Sequence, residues 1–133
     1  MATLEITHPP SLRPPSGFSH GLLSRGGKLL FIAGQTAGSS GDIPSEDMAE
    51  QFDQALANVL EVVRTAGGAP GDLATLTIFV TDMDACRAAR KALGPRYRAR
   101  MGSHYPAMAL VEVTSLLNPK ARVEIQGIAV LGG

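Results

Sequence analysis

Few residues of this chain are placed to do chemistry by their spacing alone. Glu124 stands between Val123 and Ile125, and the two-residue period of a strand turns its carboxylate away from whatever Ile125, Gly127 and Ala129 pack against. A carboxylate held there is either a group that orients water or an ordinary exposed strand residue. Met108, Leu110 and Glu112 share one face of the preceding apolar run, where a methionine ordinarily fills a core. Cys86, the single cysteine, stands at a helix start beside Arg87, which would lower its thiol pKa unless the residue is simply packed inside. His8, His20 and His104 are far apart, and none has the i, i+4 partner of a helical metal site. Gly67-Gly68-Ala69-Pro70-Gly71 lacks the Gly-Lys-Ser/Thr ending that cradles phosphates and reads as a helix exit. Neither a metal centre nor a cofactor is expected.

The elements that must position these residues alternate between strands and helices. Pro9, Pro10, Pro14 and Pro15 remove backbone donors near the start, so Leu4 to Thr7 is at most a short edge strand. Phe18 to Leu23 and Lys28 to Gly34 flank Ser24-Arg25-Gly26-Gly27 in the pattern of a hairpin. Met48, Phe52, Ala55, Leu56, Val59, Val62 and Val63 then form one helical stripe, with Ser45 as the expected cap, acids at its start and Gly67-Gly68 at its exit. Leu73 to Val80 suits a central strand buried on both faces. Asp82 caps a second helix, about Ala85 to Met101, that Gly94-Pro95 should kink or split, and Ala107 to Val113 and Arg122 to Leu131 are the final strands. The expected class is α+β, in the order β-β-α-β-α-β-β.

Composition bounds the function. The 133 residues amount to one domain, residues 1–133, with 12 basic and 12 acidic side chains and no net charge. A neutral chain lacks the electrostatic term that dominates nucleic-acid affinity, so nucleic acid is not an expected partner. At 44% apolar and 18% charged, the chain is globular rather than disordered. One cysteine rules out an intramolecular disulfide, and no apolar run reaches the ~20 residues that span a membrane, so a cytoplasmic location with no membrane contact is expected.

Taken together, the segments resemble the RidA/YjgF family of small enamine/imine deaminases. Gly17-Phe18-Ser19-His20-Gly21 is similar to that family's Gly-Pro-Tyr-Ser-Gln-Ala, and Phe31-Ile32-Ala33-Gly34-Gln35 to its Ile-x-Ser-Gly-Gln. Glu50-Gln51 through Asn58 with Ala66-Gly67, Thr77 to Asp82, Tyr105-Pro106-Ala107, Val111-Glu112-Val113 and Val123 to Ala129 continue the match along nearly the whole chain. The resemblance implies a chorismate-mutase-like fold with two helices on one face of a mixed sheet. It also implies a homotrimer, with a small-molecule ligand at each subunit interface. The reaction implied is hydrolysis of a reactive imine or enamine acid to a keto acid and ammonia, with Glu124 positioning the attacking water. Phe18, His20, Gly34, Arg90, Met108 and Leu110 fall at the implied substrate-binding positions.

One departure stands out. Where the family places an arginine that grips the substrate carboxylate, this chain has Met108, and nearby Phe18 replaces a tyrosine, Leu110 a frequent cysteine, and Arg90 stands near an asparagine. The resemblance therefore implies either a hydrolase with a non-standard substrate or a trimeric binding protein without catalysis. The family's older endoribonuclease label is disfavoured by zero net charge and few aromatic residues.

Overall fold

The apolar stripe between Met48 and Val63 folds as helix α1, Met48–Thr65. Its cap is Asp47, whose carboxylate accepts the Glu50 amide at 2.9 Å, whereas Ser45 accepts the Asp47 amide at 3.0 Å just upstream. Aspartate takes the role expected of Ser45 because its charge also meets the positive end of the helix dipole. At the other end Gly67, with φ at 91°, turns the chain while the Gly68 amide donates to the Val63 carbonyl at 2.9 Å.

The computed structural model describes residues 4–132. A four-stranded sheet carries β3 (Lys28–Gln35), β6 (Val123–Leu131), β4 (Leu73–Val80) and β5 (Ala107–Glu112) in that spatial order. β6 runs antiparallel to both of its neighbours, and β4 and β5 are parallel. Helices α1, α2 (Met83–Ala88) and α3 (Arg90–Met101) share one core with Leu76, Ile78, Val80, Val123 and Ile125, so all three cover the same face of the sheet. No helix among the described residues is long and apolar enough to cross a membrane.

Three expectations need correction. The strand before β3 is β2, Gly21–Ser24; it pairs with β1, Leu4–Thr7, in a separate two-stranded ribbon rather than as a hairpin with β3. Gly26 and Gly27, with φ at 79° and 97°, turn the chain out of the ribbon, and β3 finds its ladder on β6 instead. The observed order is thus β-β-β-α-β-α-α-β-β, with three α-helices. The second helix divides at Ala89, while Pro95 lies inside α3. The carbonyl that a proline crowds, four residues back, is that of Lys91 within the first turn of α3, so Pro95 is accommodated inside the helix and the division falls further upstream than expected. Lastly, β4 is fully buried on its helix side only, and its other side is half-covered.

Asp53 of α1 clips α3 in place, 2.5 Å from Arg100 Nε and 3.3 Å from Arg96 Nη1. The Arg100 guanidinium, aided by Arg96, holds the Asp53 carboxyl below its ordinary range. A carboxyl whose pKa is depressed by folding stabilises the protein above its unfolded pKa, and that contribution is lost as pH falls through the folded value. Both arginines are more than a third exposed, so Asp53→Asn should cost only about 1 kcal/mol at neutral pH. The difference from wild type should shrink as pH falls below the ordinary carboxylate range and disappear only once Asp53 is protonated in the folded state as well; urea unfolding at pH 7 and at successively lower pH measures it.

Candidate functional site

Ser19 fastens the N-terminal segment to the edge of the sheet. Its hydroxyl donates to the Tyr105 carbonyl at 2.6 Å, its amide donates to the Pro106 carbonyl at 3.1 Å, and it bridges to Ala107 of β5. This fixes Phe18 over a groove of about 560 Å³ between α2–α3 and β4–β5, a size suited to a small organic ligand. Phe18, Cys86, Arg90, Arg98, Met108 and Leu110 line it, and Tyr105, stacked on Tyr97 with centroids 5.1 Å apart, closes one end. Of the expected residues, the groove thus unites Phe18, Arg90, Met108 and Leu110. His20 stands behind Phe18, edge-on at 5.2 Å, with Nε2 2.7 Å from the Arg13 carbonyl.

Glu124 lies elsewhere. Met108 pairs with Leu76 and Leu110 with Ile78 across β4–β5, and Ile78 pairs with Ile125 across β4–β6. Those residues face the helices. Glu124 pairs with Phe79, in the alternate row, and so points to the open face. Within one chain the sheet itself separates Glu124 from Met108.

Gly34 explains how the carboxylate is seated. β3 bulges between Ile32 and Gln35, and a Cβ on Gly34 would fall 2.7 Å from Glu124 Cδ and 2.8 Å from Oε2. The Glu124 side chain therefore lies directly over the glycine backbone. Glu124 takes no part in any ion pair among the described residues. Among the paired strand residues of that face it is also the one ionisable side chain, amid Leu29, Phe31, Thr77, Phe79, Val111 and Ile128. Because the atoms in the way are the far end of a flexible side chain, Gly34→Ala should leave the thermal midpoint within about 2 °C. The same substitution moves the carboxylate by about 1 Å, a displacement that costs about 10²-fold in any reaction in which that group takes part. Melting curves and steady-state rates on the same preparation separate the two effects.

Cys86 is buried, and desolvation raises its thiol pKa despite the opposing pull of Arg87. The activating reading fails because burial outweighs the Arg87 charge, whose guanidinium also pairs with Asp84 at 3.2 Å. Glu112 accepts the Met83 amide at 2.8 Å and serves the start of α2. A larger hollow, about 860 Å³, borders the β5–β6 loop. It contains none of the expected residues, and its Arg122 already binds Asp82 at 3.2 Å and the Glu46 carbonyl at 3.0 Å.

Several groove residues are not among the expected site residues, Arg98 and Gly94 among them. Arg98 and Gly94 follow Arg90 at i+8 and i+4, a spacing visible in the sequence. By residue type Gly94 signals only a helix breaker, with no local sign of a place in the groove.

Comparison with known proteins places these features in a wider set. The family model described as Endoribonuclease L-PSP matches residues 10–131. A 2-iminobutanoate/2-iminopropanoate deaminase of Escherichia coli K12 is 34% identical over 110 residues, covering 78% of this chain and 80% of that protein. YyfB of Yersinia pestis, a Rid-family protein of unknown function, superposes with a TM-score of 0.81 at 31% identity, over 96% of this chain and 98% of that one. E. coli TdcF with bound serine gives a TM-score of 0.69 at 27% identity, over 96% and 99% of the two chains.

Proposed function

The chain belongs to the RidA/YjgF family, and from that premise we propose that it hydrolyses the C=N bond of a reactive imine or enamine metabolite in a site completed by a second copy of itself. The observation that carries this reading is the lone carboxylate of Glu124 on an open, largely apolar sheet face. Leu29, Phe31 and Val111 on that face are 61%, 71% and 42% exposed. An apolar face of this kind is an association surface. A neighbour seated there would bring its own Phe18–Met108 groove toward Glu124, joining the two halves that the sheet keeps apart within one chain. A homotrimer, the assembly that the family resemblance implies, closes such contacts head to tail.

In the proposed reaction an unpaired carboxylate accepts a hydrogen bond from water and takes its proton as the oxygen attacks the C=N carbon. That proton passes to the imine nitrogen to give a carbinolamine, and the hydroxyl proton of the carbinolamine then follows to the amine as the C–N bond breaks, leaving a carbonyl compound and ammonia. No cofactor enters this balance. Ammonia release from a panel of imines generated in place by an amino-acid oxidase tests the reading; release no faster than without the protein, across the panel, contradicts it. In solution the particle should have three times the 13.9 kDa chain mass, and light scattering that finds a monomer contradicts the composite site.

A second reading, a binding protein without turnover, is supported by what the family resemblance implies, that Met108 stands where the family carries a carboxylate-gripping arginine. Ligand-dependent thermal shifts without ammonia release would select it.

A further inference from the structure

Helix α3 sorts its arginines onto two flanks. Arg96 and Arg100 turn toward α1, where both bind Asp53. Arg90 and Arg98 lie on the other flank with Gly94 midway between them, the i, i+4, i+8 spacing that aligns side chains along a helix. All three residues line the groove under Phe18, and no carboxylate lines it with them. Neither Arg90 nor Arg98 enters an ion pair among the described residues.

Gly94 fixes where the Arg98 guanidinium goes. A Cβ on Gly94 would lie 3.2 Å from Nη1, 3.7 Å from Nη2 and 3.8 Å from Cζ. The guanidinium therefore folds back along the helix into the space that the missing side chain leaves. Glycine is unfavourable inside a helix, and here it opens the groove wall and seats a cation beside it. The facing wall is apolar, formed by Phe52, Ile78, Met108 and Leu110. A cationic wall opposite an apolar one, in about 560 Å³, complements an anion with an apolar body rather than a compact polar one.

We propose that Arg98, seated over Gly94, is the carboxylate-binding cation of this groove, and that the ligand is an organic acid with an aromatic or long aliphatic body lying against Met108 and Leu110. The proposal rests on the reading of the groove as the ligand site, and it requires no hydrolysis by Glu124. A planar guanidinium binds a carboxylate through two parallel hydrogen bonds, a geometry that neither lysine nor a neutral side chain reproduces.

Titration of the full-length protein with phenylacetate, its neutral counterpart phenylacetamide, and acetate, followed by calorimetry, tests this. Phenylacetate should bind saturably, and the other two at least about tenfold more weakly. Arg98→Gln should weaken phenylacetate about ten- to hundredfold and leave phenylacetamide unchanged. Arg98→Lys should recover only part of the loss, and Gly94→Ala should weaken phenylacetate while changing phenylacetamide little. Arg87→Gln, outside the groove, should match wild type. An unchanged phenylacetate-to-phenylacetamide ratio in Arg98→Gln overturns the proposal, as does a loss confined to Arg90→Gln, or wild type that does not bind phenylacetate. A protein that passes but releases no ammonia from any imine keeps this ligand assignment and loses the hydrolase reading; the opposite result does the reverse.

Discussion

Replacing Glu124 with glutamine should lower imine hydrolysis by about 10² to 10⁴-fold, the range over which a positioned acid or base contributes, and leave the fold intact. Glutamine keeps the shape of the side chain over Gly34 but cannot take a proton from water. The loss should therefore fall on kcat, with KM nearly constant, because the group acts on the attacking water and not on the bound ligand. The substitution sits at a half-buried position of an otherwise well-packed strand, so the thermal midpoint should not move. Steady-state rates with the best imine of the panel, measured beside a melting curve, read both quantities. Equal rates for wild type and Glu124→Gln would remove Glu124 from the mechanism.

Met108→Arg should do the opposite and create activity. A two-pronged pair to a carboxylate adds two charge-assisted hydrogen bonds of about 1.5 to 3 kcal/mol each. At about 1.4 kcal/mol per tenfold, that is on the order of 10² to 10⁴ in recognition of a short 2-imino acid. The structure adds a cost. The groove already holds Arg90 and Arg98 without a carboxylate, and the longer side chain fills the space beside Leu110. Activity on 2-iminopropanoate should therefore rise while binding of larger acids falls, a crossing of specificity rather than a uniform gain. Rates and affinities for both ligand sizes measure it; no gain with the short acid would mean that Met108 is not what separates this pocket from that of the deaminases.

Much of the architecture is written in local pattern. The α1 stripe, the Gly67 exit, the Asp82 cap and the direction of Glu124 follow from periodicity and capping chemistry, and all are seen. What was missed depends on contacts between distant segments. Nothing local tells β2 to pair with β1 instead of β3, because a glycine turn is compatible with either partner. The break at Ala89 has no local signal either, since it lies six residues before Pro95, which α3 accommodates within its own length. For the site, the register across three strands was decisive. Alternation along β5 and β6 places Met108 and Glu124 each on some face, but only the pairing of both with β4 shows that the faces are opposite. Gly34 acquires its meaning the same way, from a side chain ninety residues later that needs the space.

The central claim is that one copy supplies Glu124 and its neighbour supplies the Phe18–Met108 groove. Subunit complementation tests it most directly. Glu124→Ala removes one half, and Met108→Trp, which fills the groove, removes the other; each variant alone should be inactive. Coexpressed at equal levels with different tags and purified as mixed assemblies, they should regain about a third of wild-type ammonia release, since one of the three interfaces in every mixed trimer pairs an intact carboxylate with an intact groove. Mixed assemblies that remain as inactive as either parent would place both halves within one chain and contradict the account.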